Sequence, residues 1–175
     1  MKKLLKGVLL TMGILTALGS LFGCGSKGPA GVLKSVRFSP GYSDMLGAAR
    51  STVLKKDADD KWIIEENARE DHSSPTHVTV YAVSEENVAA FEAFIRDKKV
   101  YDLPNRKDSD DFVTDYSPWG WRLEYTDPDS SKKTWEYVDI REYKKYSDSD
   151  YRLIKELREQ FEGLKGEKIS ERDEN

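Results

Sequence analysis

Three groups of residues in this 175-residue chain are of types that could do chemistry. The first is a set of carboxylates, Asp108, Asp110, Asp111 and Asp115, crowded into one segment. Carboxylate oxygens are the ligands calcium takes. An EF-hand-type loop starting at Asp108 would need glycine at its sixth position and glutamate at its twelfth. Val113 and Trp119 stand there, so a solvated acidic loop with no metal is expected. The second group is Asp71, His72 and His77. A zinc site needs at least three such ligands, and their spacing matches no ligand pattern. Nucleophilic catalysis needs a serine or cysteine held by a histidine that a carboxylate orients. Ser73 and Ser74 merely adjoin His72, and the chain has no Gly-x-Ser-x-Gly elbow. It has no Gly-x-Gly-x-x-Gly or Walker A motif either, so no cofactor is expected.

The third group is aromatic. Trp119, Trp121, Leu123 and Tyr125 share one face of a strand, and Trp135 and Tyr137 share a face of its partner. Aromatics on a sheet can stack on sugars or grip peptides. They also bury roughly 150–250 Å² each, which makes core the expected role for most of them. Tyr116 and Trp119 flank the entry to the hairpin and are the candidates for exposure. With Asp110, Asp111 and Arg122 they form the expected recognition surface. That surface joins carboxylates, an aromatic pair and a cation on a loop beside a rigid strand, where function concentrates.

The elements that must position these residues read as α+β. Val32–Ser39 alternates, with Val32, Val36 and Phe38 on one side and Lys34 breaking the pattern, and Pro40-Gly41 ends it. Strands are expected at 48–56, 61–66 and 77–83. Ser84 is an N-cap with Glu85 and Glu86 behind it, and Val88, Phe91, Phe94 and Ile95 recur at helical spacing, so 85–98 is a helix. Pro104 and the acidic segment after it make a loop. The stretches 119–126 and 132–140 flank Asp127-Pro128-Asp129-Ser130 as a β-hairpin. The run Ser147-Asp148-Ser149-Asp150 caps a second helix carrying Tyr151, Ile154, Leu157, Phe161 and Leu164. The order ββββ-α-ββ-α predicts an antiparallel sheet with two helices packed on one face.

The N-terminus carries an address. Lys2, Lys3 and Lys6 precede an apolar run from Gly7 to Phe22, which is shorter than the roughly 20 residues of a spanning helix. It ends in Leu21-Phe22-Gly23-Cys24. Residues 1–24 resemble the signal and lipobox of bacterial lipoproteins. Leu21, Gly23 and Cys24 match that pattern, and Phe22 departs from it. The resemblance implies cleavage after Gly23. It also implies that the Cys24 thiol carries a diacylglyceryl group with acyl chains such as palmitate. The protein would then face outward from the cell membrane, held by the lipidated Cys24. The mature region is similar to a small lipoprotein domain of Gram-positive bacteria with no activity to carry over. The likeness lies in the order of elements, the exit at Val100-Tyr101, the acidic loop, the aromatic hairpin and the closing helix that contains Tyr151.

The expected division is a signal peptide at 1–23, a lipidated flexible tether at 24–31, one α+β domain at 32–164 and a disordered charged tail at 165–175. Removing 1–23 leaves 25 basic against 32 acidic residues, a balance that disfavours nucleic acid. Cys24 is the only cysteine, so an intramolecular disulfide is excluded and a hydrophobic core must stabilise the fold. The functional expectation is an extracytoplasmic binding or interaction module for an envelope ligand or protein, and not an enzyme. The alternatives are an envelope hydrolase with an unrecognised carboxylate site and a structural accessory subunit of an envelope complex. Labelled fatty acid should enter the wild-type protein and not Cys24→Ala. Absence of label in the wild type would refute the lipobox reading.

Overall fold

The computed structural model describes residues 28–29, 31–41, 48–109, 118–126 and 136–174. The strands are β1 (Val32–Ser39), β2 (Ala49–Lys56), β3 (Trp62–Arg69), β4 (Thr76–Ala82), β5 (Gly120–Thr126), β6 (Glu136–Arg141) and β7 (Lys168–Glu174). The helices are α1 (Glu85–Asp97) and α2 (Asp148–Glu162), with a 3-10 helix at Val100–Asn105. All seven strands form one sheet in the order β6-β5-β1-β2-β3-β4-β7, and every pairing is antiparallel.

Strand alternation divides the sheet into two faces. Val36, Phe38, Leu54, Trp62, Ile64, Trp121, Leu123, Tyr125, Val138 and Ile140 are buried together with the helices. Val88, Phe91 and Ile95 of α1 and Leu157 and Phe161 of α2 close the core from above. The other face carries no helix among the described residues and is called the open face below. Val32 was expected inward but is exposed. A β-bulge between Leu33 and Ser35 shifts the phase at Lys34, so Leu33 takes the buried position instead.

Both helix caps form as read. The Ser84 hydroxyl accepts from the Asn87 amide at 3.1 Å. The Ser147 hydroxyl accepts from the Asp150 amide at 3.2 Å, while the Asp150 carboxylate accepts from the Ser147 amide at 3.0 Å. Asp150 is buried and also receives Arg106 at 3.0 and 2.7 Å, which holds its carboxyl well below the usual carboxylate range. Ile154 is only partly buried, and Tyr151 lies outside the core with its ring edge-on to Tyr146 at 5.6 Å. Of the expected helical stripe, Leu157, Phe161 and Leu164 are the buried members.

Two expected boundaries are corrected. The tail from Lys165 was expected to be disordered, yet it returns to the sheet as β7. The Gly166 amide donates to the Ala82 carbonyl and the Ala82 amide to the Glu167 carbonyl, both at 2.9 Å, and the ladder on β4 follows. An edge strand held by main-chain bonds needs no apolar residue, and its charges protect the edge from further pairing. The tether was expected to run flexibly to residue 31. Instead Pro29 is buried, and the carbonyls of Pro29 and Gly31 each accept from Arg96 of α1 at 3.0 Å. Gly28 lies so close to the Tyr101 ring that a Cβ there would sit 2.7 Å from it.

Leu157 is fully buried where α2 meets the sheet. Leu157→Ala should lower the unfolding free energy by about 2–5 kcal/mol. Unchanged stability in denaturant titration would contradict the packing of α2.

Candidate functional site

The residues singled out for chemistry separate in the structure. Asp110, Asp111, Asp115, Tyr116, Trp135 and Cys24 lie outside the described residues. The Asp108 carboxylate accepts from Lys144 at 2.7 Å. Asp71 accepts from the Ser73 amide and hydroxyl and from the Ser74 amide, each at 2.8 Å, which draws its pKa down to about 2. This is a local turn, and His72 beside it is exposed. His77 faces the other way. Its ring lies between Asp173 at 2.8 Å and Glu171 at 2.7 Å on β7, and these carboxylates hold its pKa above the ordinary histidine value. Among the described residues no group of three His, Cys, Asp or Glu is arranged to hold a metal ion.

The aromatic stripe also divides. Trp121 and Tyr125 are buried, and Trp121 stacks on Phe38 at 4.3 Å. Tyr137 lies on the open face, because the register Glu124↔Tyr137 and Leu123↔Val138 turns Val138 inward. The Arg122 guanidinium stands 5.3 Å from the Tyr137 ring and donates to Asp139 at 2.8 and 3.2 Å. Trp119 is partly buried and stacks on Tyr146 at 6.1 Å. Burial pushes the Tyr146 phenol up to about 12, so it stays protonated and donates to the Arg141 carbonyl at 2.9 Å.

Trp119 and Arg122, the described members of the expected surface, meet in one cavity. They line a hollow of about 280 Å³ with Ser39, Asp139, Arg141 and Tyr143. Its floor follows from sequence. Ser39, Gly120 and Arg141 form one cross-strand row, and Gly120 puts no side chain between the other two. Arg37, Arg122 and Asp139 form the next row. Arg37 and Ser39 also line a second hollow, of about 430 Å³, over β1, β2 and β3. Its low parts are Gly41, Ala48, Ala49 and Ser51, and its longer side chains are Arg37, Asn67 and Arg69. Gly41 ends β1 with φ at 81°, the left-handed region that suits glycine.

Reading the sequence missed Arg37, Asn67, Arg69, Arg141 and Tyr143. The available signal was that Arg37 sits between the inward Val36 and Phe38 and so must face outward. What it would meet there depends on the β1–β5 pairing, which joins residues far apart in the chain. No family model matches this chain, and no curated protein or solved structure matches it significantly.

Proposed function

We propose that the protein is a membrane-anchored extracytoplasmic lipoprotein, held by a lipidated Cys24, whose α+β domain is a binding module. Its envelope ligand seats on the open face of the sheet. The observation that carries this reading is the pair of hollows that share Arg37 and Ser39. Concave sites with a few convergent polar groups and aromatic walls are the usual form of a ligand site.

The anchor and the hollows are placed to serve this role. Three residues lie between Cys24 and Gly28, so the four steps joining them reach at most about 14 Å, and Gly28 is held against Tyr101. From Val32, β1 runs about 23 Å to Ser39. The hollows thus lie at the end of β1 away from the anchor. No helix among the described residues is long and apolar enough to cross a membrane, so the acyl chains are the membrane contact in this reading. The hydrolase alternative needs two carboxylates facing one cleft. Among the described residues lining the two hollows Asp139 is the only carboxylate, and Arg122 engages it.

A photocrosslinking residue at Ser39 should couple the native protein to an envelope component, while the same residue at Gln160 of α2 should not. Crosslinks from Gln160 alone, or from neither position, would overturn the reading.

A further inference from the structure

The larger hollow has a lining of unusual chemistry for this chain. It gathers the guanidinium groups of Arg37 and Arg69 with the hydroxyls of Ser39, Ser51 and Thr76 and the amide of Asn67. None of its described lining residues is acidic, although the chain holds 32 Asp and Glu against 28 Lys and Arg. The carboxylates nearest in register are already engaged. Glu65, two strands from Arg37 in the same row, accepts from Lys55 at 3.0 Å. Asp139, two strands away on the other side, is held by Arg122.

Arg37 is the focus. Its direct cross-strand partner on β5 is Arg122. Like charges placed directly opposite destabilise a sheet pair. Arg122 is relieved by Asp139, whereas the Arg37 side chain forms no ion pair or hydrogen bond with any described residue. An oxyanion in the hollow would supply the missing counter-charge. Guanidinium groups present donors in a fork that fits such oxygens. Two guanidiniums and three hydroxyls outnumber what the two oxygens of a carboxylate accept, and suit a phosphate better. The adjoining hollow continues from Arg37 and Ser39 to Trp119 and Tyr143, whose rings suit the stacking of a sugar.

We infer that the hollow walled by Arg37 and Arg69 takes a phosphate group carried on a sugar, and that the sugar extends toward Trp119. This deepens the binding reading above and rests on it. The test is calorimetric titration of the full-length protein in detergent with inorganic phosphate, glucose 1-phosphate, galacturonate and glucose. Glucose 1-phosphate should bind more tightly than inorganic phosphate, and glucose and galacturonate at least tenfold more weakly than glucose 1-phosphate. Arg37→Gln should weaken glucose 1-phosphate binding at least tenfold with its melting temperature unchanged, and Arg152→Gln on α2 should leave binding unaltered. Three results would overturn the inference: no phosphate binding at millimolar concentration, equal binding by Arg37→Gln, or tighter binding of galacturonate. If crosslinking from Ser39 persists when phosphate binding fails, the binding module stands and only the phosphate assignment falls. If both fail, both readings fall.

Discussion

Phe161 is the point at which both helices and the sheet meet. Its ring lies 5.8 Å from Phe91 of α1 and edge-on to Trp121 of β5 at 5.2 Å, and Trp121 in turn stacks on Phe38 of β1. This chain of rings commits α1 and α2 to the same side of the sheet. Aromatic pairs of this kind add about 0.5–1.5 kcal/mol beyond their area burial. With both helices on one side, the alternate residues of every strand are left for the other. The open face is therefore a consequence of the core, and the hollows on it are as well placed as the strands beneath them.

That arrangement also reconciles an acidic chain with a basic site. Net charge reports on solubility and long-range steering and does not locate individual groups. On the open face the arginines of β1, β3, β5 and β6 come together, whereas Asp71, Asp108 and Asp150 are each held locally by a turn, a lysine or a helix cap. Small residues between the arginines, Ser39, Ser51, Ala49 and Gly120, make the concavity. Side chains of ordinary size there would fill it.

Much of the architecture was legible along the chain because it depends on local signals. Ser84 and Ser147 marked the helix starts through their capping, and Phe91, Ile95, Leu157 and Phe161 marked the buried helix faces through their spacing. The features that were missed depend on pairing. The bulge at Lys34 moves Val32 outward through a change of register with β5, and an alternation count cannot see it. The strand β7 is mostly charged, with Ile169 as its one apolar residue, and only its ladder to β4 reveals it. Of the expected recognition surface, Trp119 and Arg122 line one hollow, because Trp119 directly precedes the strand that carries Arg122. Arg37 lines the same hollow from β1, and no spacing rule links residue 37 to residue 122.

The central claim is that the face of the sheet without helices is the one that meets the ligand. Arginine-selective modification by phenylglyoxal, read by mass spectrometry, tests it directly by comparing the protein in its native envelope with the purified protein. The account predicts that Arg37 is modified in the purified protein and protected in the envelope, while Arg152 on α2 reacts alike in both. Equal modification of Arg37 in the two states, or protection confined to Arg152, would contradict it.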